Sequence, residues 1–144
     1  MATKLIHTGF VVENLGWAIS FYRDAVGLEI LREREFTGNE ISQVVGYEDA
    51  HLKMAMLGIP GEESHALELI QYLNPASSDR TTSERSAQGA SHVAFRVDDI
   101  EETFRCLVAN GAQQLNPPVY VPPNRSACYL QDPDGNWIEL LQRD

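Results

Sequence analysis

Two histidines and two glutamates recur at matching places along the chain. His7 stands in IHTGFVVENL and His92 in SHVAFRVDDI, where Phe10 and Val12 return as Phe95 and Val97. Glu68 stands in ALELIQ and Glu139 in WIELLQ, where Leu69 and Gln71 return as Leu140 and Gln142. A lone histidine in a strand is ordinarily structural, and a lone glutamate is ordinarily solvated or ion-paired. Repetition of both, in the same order, calls for another reading. Two imidazoles and two carboxylates form a mixed nitrogen and oxygen ligand set for a divalent cation. The carboxylates balance the charge of such an ion, and neutral imidazoles add borderline-soft donors. Five- or six-coordination leaves positions open for substrate or water. A cation so placed acidifies a C–H beside a carbonyl that it holds, and a carboxylate within reach can carry the proton. His7, Glu68, His92 and Glu139 are therefore the expected metal ligands. Glu139, alternating with Glu68, is the expected proton carrier. The expected cofactor is one divalent ion per site, drawn from zinc, nickel, cobalt, manganese and iron.

Side chains alternate across a strand with a period of two, so neighbours along the chain fix which way these residues face. Ile6, Phe10 and Val12 share one face of a first strand, and His7 shares the other with Leu5, Gly9 and Val11. Val93, Phe95 and Val97 oppose His92, Ala94 and Arg96. Leu67 and Leu69 oppose Glu68, Ile70 and Tyr72, while Ile138 and Leu140 oppose Glu139 and Leu141. All four repeated polar residues thus point away from an apolar face suited to packing under helices. Asn14 is the expected cap of the first helix, whose stripe is Leu15, Ala18, Ile19, Tyr22 and Val26 and whose end is Gly27. Asp98 or Asp99 begins the second, with Ile100, Phe104, Leu107 and Val108 as its stripe and Gly111 as its end. Strand-like runs follow over 28–36, 40–47, 51–57 and 66–72, then over 113–121, 125–131 and 137–142. IPGEES at 59–64 and DPDGN at 132–136 are turns, and the polar stretch 73–90 reads as a linker. The expectation is an α+β chain of two β-α-β-β-β modules in one domain: module one over 1–72, linker over 73–90, module two over 91–144.

Composition narrows the partners. Eleven Lys and Arg stand against twenty-one Asp and Glu, a net charge of −10. Such a chain repels phosphate backbones and anionic headgroups, so neither nucleic acid nor a membrane is an expected partner. The first residues lack the charge pattern and cleavage site of a secretory signal, and no apolar run is long enough to span a bilayer. Cys106 and Cys128 read as two reduced thiols, and the expected location is the cytoplasm. His51 and His65 have no repeat partner and receive no role; His65, beside a turn, is expected to be exposed. Arg96, two residues after His92 on the same face, is a candidate for a substrate carboxylate or phosphate, with pairing to Asp98 or another acid the favoured alternative. Tyr47, Met54, Met56, Tyr72, Tyr120 and Trp137 suit either a pocket wall or the core.

The order His7, Glu68, His92, Glu139, with FYRDAVGLEIL at 21–31, SHVAFRVDD at 91–99 and DPDGNWIELLQ at 132–142, resembles the vicinal oxygen chelate superfamily over essentially the whole chain. Glyoxalase I, methylmalonyl-CoA epimerase, extradiol dioxygenases and fosfomycin or bleomycin resistance proteins belong to it. The resemblance implies paired βαβββ modules forming a cup-shaped, barrel-like mixed sheet around a divalent metal, helices outside, commonly in a homodimer whose sites can form between chains. The four-ligand pattern is most similar to glyoxalase I. Methylmalonyl-CoA epimerase usually carries Gln at the position of Glu68, and extradiol dioxygenases use two His and one Glu. Where glyoxalase I places a basic residue in the first strand and an Asn after the Glu strand to hold glutathione, this chain has Val11 and Tyr72. Glu48 lies near where epimerase-like relatives place an additional base, in what reads as a solvent-facing hairpin turn. Arg96, Tyr72 and Glu48 are the candidate substrate-binding residues. The function implied is a divalent-metal-dependent isomerase or lyase, glyoxalase- or epimerase-like, acting on a small molecule. The alternatives are an iron-dependent extradiol-type dioxygenase and a non-catalytic small-molecule-binding or resistance protein.

Overall fold

A computed structural model describes residues 1–63, 65–80 and 83–143. It divides into two units, Met1–Asp79 and Arg80–Asp144, each organised around its own sheet. Ser64 of the expected first turn, Thr81 and Thr82 of the polar stretch, and Asp144 lie outside the described residues.

The first unit runs β1 (His7–Val11), α1 (Leu15–Ser20), β2 (Glu29–Thr37), α2 (Asn39–Val45), β3 (His51–Gly58) and β4 (Ala66–Asn74). Its sheet order is β1-β4-β3-β2, with β1 parallel to β4 and the other pairs antiparallel. The second unit runs β5 (His92–Arg96), α3 (Ile100–Ala109), β6 (Gln113–Gln114), β7 (Val119–Val121), β8 (Arg125–Gln131) and β9 (Trp137–Arg143). Its order is β5-β9-β8-β6, with β7 also on β8 and β5 parallel to β9. Strand order and the one parallel pair are thus shared, and the α+β architecture with a βαβββ plan in each half is the one expected.

The helix starts follow from side-chain caps. Asn14 accepts a hydrogen bond from Trp17 N at 3.0 Å, and Asp99 accepts one from Glu102 N at 2.9 Å. Each therefore satisfies an amide that the first turn would leave without a partner. The repeated glutamines add a second cap. Leu15 N donates to Gln71 Oε1 at 3.0 Å, and Ile100 N donates to Gln142 Oε1 at 2.8 Å. The strand that carries each glutamate therefore also fixes the start of the helix behind it. Leu15, Ala18 and Ile19 of α1 and Ile100, Phe104 and Leu107 of α3 are buried. Phe10, Val12, Leu67, Leu69, Ile138 and Leu140 are buried on the sheets, as the alternation requires. Ile6 departs from it: the residue precedes β1 and is 62% exposed.

Three elements differ from the sequence pattern. The expected strand over 40–47 is the helix α2. Gly38 (φ +99°) and Gly46 (φ +75°) punctuate the run at both ends, and Gly46 closes the helix in the left-handed conformation. Ile41 and Val45, one turn apart, are half-buried, so tertiary contact overrides the β-branched composition. The first helix changes to a π-helical turn over Phe21–Ala25 before Gly27 ends it at φ +89°. The expected strand over 113–121 is split into β6 and β7, because Pro117 and Pro118 lack the amide a ladder needs. Among the described residues no helix is long and apolar enough to cross a membrane.

Candidate functional site

In the first unit Gly9 of β1 lies in register with Glu68 of β4, and His7 is two residues before Gly9. In the second, Ala94 of β5 lies in register with Glu139 of β9, and His92 is two residues before Ala94. Both pairs are thus diagonal across the parallel ladder, one strand apart and on one face. His7 Nε2 stands 3.4 Å from Glu68 Oε2, and His92 Nε2 stands 3.3 Å from Glu139 Oε2. Gly9 gives the first carboxylate its room, since a Cβ there would meet Glu68 Oε2 at 3.2 Å.

These separations exceed an ordinary N–H···O hydrogen bond. They suit two donors to one ion. Nitrogen and oxygen ligands about 2.1 Å from a zinc-sized ion, at a near-tetrahedral angle, stand about 3.4 Å apart. The donor set therefore fits a divalent cation. Among the described residues no three His, Cys, Asp or Glu gather into an ion-holding group. Each pair by itself offers two donors.

The two pairs differ in their surroundings. Met56 is in register with Glu68, and Tyr129 holds the corresponding place beside Glu139. The Tyr129 ring meets His92 edge-on at 5.2 Å, with its hydroxyl 3.4 Å from His92 Nε2. Burial, and then the charge and hydrogen bonding of Glu139, hold the Tyr129 phenol above its ordinary pKa, while Arg85 pulls it the other way. Tyr129 therefore stays a hydroxyl donor through the neutral range. A hollow of about 230 Å³ lies here, lined by Arg85, Ala90, Ser91, His92, Tyr129 and Trp137. In the first unit a hollow of about 380 Å³ is lined by Val11, Tyr47, Tyr72 and the segment 75–78, with the Tyr47 and Tyr72 rings edge to face at 6.0 Å.

The remaining candidates fall out as follows. Tyr72 is half-buried on the wall of that hollow. Glu48 is exposed and lines a separate hollow of about 370 Å³ with Asn39, Ser42 and Asp49. Arg96 is exposed, and the favoured pairing with Asp98 or another acid is not formed: among the described residues the Arg96 side chain has no hydrogen-bond or ion-pair partner. His65 is half-buried rather than exposed, because its Nε2 meets Thr8 Oγ1 at 2.9 Å. His51 pairs with Glu35 at 2.6 Å. Tyr129 and Arg85 were not singled out by the sequence. Neither has a counterpart in the other half, so the repeat that exposes the four ligands is silent about them.

Comparison with known proteins agrees with this fold. The family model described as the Glyoxalase/Bleomycin resistance protein/Dioxygenase superfamily matches residues 4–140. An uncharacterized protein of Bacillus subtilis, YwbC, is 28% identical over 99% of this chain and its own full length. A probable lactoylglutathione lyase of Vibrio cholerae is 29% identical over 96% of this chain and 90% of its own. The crystal structure of a glyoxalase family protein from Bacillus cereus is 27% identical, with a TM-score of 0.91, over 99% of this chain and 95% of that one. Glyoxalase I from Zea mays aligns with a TM-score of 0.72 at 25% identity, this chain spanning 44% of its length.

Proposed function

Because the chain belongs to the glyoxalase/bleomycin resistance protein/dioxygenase superfamily, we propose that it is a divalent-metal-dependent isomerase or lyase that moves a proton beside the chelated carbonyl of a small molecule. One observation carries this reading: two His–Glu pairs of matching register, each with its donor tips at the spacing of neighbouring ligands on one ion. His7, Glu68, His92 and Glu139 together would hold the ion, one pair of each kind. The relatives named lactoylglutathione lyase support a lyase reaction. A homodimer is the proposed assembly, in line with the exposed Leu5, Ile6 and Val11 on and beside the edge strand β1.

A divalent ion in this place would supply the positive charge that acidifies a C–H next to the substrate carbonyl. The proton work belongs to the protein. Glu139 takes the proton on a carboxylate oxygen and delivers it to the neighbouring carbon, with Glu68 as the alternate carrier. The Tyr129 hydroxyl stands beside the second pair, 3.4 Å from His92 Nε2. His7 and His92 keep their Nε2 atoms toward the carboxylates. Val11 and Tyr72 offer no cation, so a substrate other than a glutathione adduct is favoured.

The test is exchange in deuterated water with a panel of 2-oxo and 2-hydroxy thioesters, in the presence of divalent metals. The wild type is expected to wash deuterium into the carbon beside the carbonyl of at least one member. Glu139→Gln should slow that exchange about a hundredfold to ten-thousandfold. No exchange with any metal, together with oxygen uptake on a catechol, would contradict the reading in favour of a dioxygenase.

A further inference from the structure

Part of the polar segment between the halves is fastened to the second unit. Arg80 Nη2 donates to Asn136 Oδ1 at 2.5 Å, and Asn136 is itself held by buried Asp132, which accepts from Asn136 N at 2.8 Å and Nδ2 at 2.9 Å. Three residues on, Ser83 O accepts from Trp137 Nε1 at 2.9 Å. Two residues further, the Arg85 guanidinium lies over the Trp137 ring, 4.6 Å from its centroid. Contacts at 80, 83 and 85 therefore set Arg85 in place before any ligand arrives. Stacking on a ring orients the planar guanidinium and leaves its N–H edge available. Among the described residues the Arg85 side chain has no hydrogen-bond or ion-pair partner, so its edge is not spent on any of them. The hollow that it lines also holds His92, Ser91 and the Tyr129 ring.

We propose that Arg85, oriented by Trp137, is a carboxylate-binding residue, so that the substrate of the metal site is a small acid whose carboxylate lies in the hollow beside His92. The inference rests on the proposed metal site and adds the class of substrate. The guanidinium is charged at every physiological pH and its fork matches the two oxygens of a carboxylate. At about 230 Å³ the hollow admits a compact acid group. Beside Glu68, Met56 stands in the place that Tyr129 holds beside Glu139.

Trp137 provides the readout. In a Trp17→Phe background it is the sole indole, since the chain has two tryptophans. Pyruvate and its neutral analogue hydroxyacetone are titrated against this protein, with and without added zinc, while indole fluorescence and bound metal are followed. Pyruvate is expected to change the signal in both forms, and Arg85→Gln should weaken its binding about tenfold to a hundredfold. Hydroxyacetone should respond equally in both proteins, and Arg85→Lys should restore part of the pyruvate affinity. Equal pyruvate affinity in wild type and Arg85→Gln, or no pyruvate response in the wild type, would overturn the proposal. Absence of bound zinc with the Arg85-dependent pyruvate response intact would remove the metal reading and leave the carboxylate site standing.

Discussion

In each His–Glu pair the imidazole is the more exposed partner: His92 at 45% against Glu139 at 20%, His7 at 40% against Glu68 at 18%. Removing an imidazole therefore removes a donor without opening the core, and His92→Ala is expected to fold normally, which circular dichroism checks. Glu139→Gln keeps the shape of the side chain but cannot carry the proton, so it should impair turnover far more than metal content. Tyr129→Phe removes the hydroxyl that stands 3.4 Å from His92 Nε2; a loss of about tenfold to a hundredfold in kcat, with bound metal retained, is the expected result. An unchanged kcat would show that this hydroxyl has no part in the reaction. The cysteines give a separate check on burial. Burial, with the charges of Glu101 and Glu139 behind it, pushes the Cys128 thiol up to about 11, whereas Cys106 is exposed. At pH 8 Cys128 is almost wholly protonated and enclosed, so a thiol reagent should label one cysteine in the native protein and two in denaturant. The four proposed ligands were legible because duplication writes one histidine and one glutamate twice. Tyr129 and Arg85 were not, since each occurs on one side only and its contacts are formed by folding.

The elements that carry these residues depend on a few local contacts. Asn14 and Asp99 each accept from the third residue of the sequence they open, so Asp99→Ala should cost about 1 kcal/mol in urea unfolding. Gln142→Leu should cost a similar amount by leaving Ile100 N without its acceptor. Loss of neither would mean that α3 is held wholly by Ile100, Phe104 and Leu107 against the sheet. Both caps could be read from residue type and position, as could the alternation that separates His7 from Phe10 and Glu139 from Leu140. The helix α2 could not. ISQVV carries strand-forming residues, and only the glycines at 38 and 46 and the half-burial of Ile41 and Val45 decide against a strand. The split of β6 from β7 was written in Pro117 and Pro118, but whether prolines end a strand or stand on its edge depends on what lies beside it.

For the molecule as a whole, two units of equal strand order each supply one His–Glu pair, and two donors alone do not make a four-coordinate site. The exposed apolar residues around β1 favour association of chains, and light scattering is expected to give the mass of a dimer; a monomer at all concentrations would remove that assembly. The net charge of −10 attracts cations generally, so specific metal binding must be separated from that field by working at high ionic strength. The most direct measurement is metal content by elemental analysis, after dialysis in such a buffer, of the wild type, His7→Ala and His92→Ala. About one divalent ion per chain in the wild type, lost from both variants that remain folded, is the result expected if the two pairs share one ion. Full metal content in either variant would contradict it.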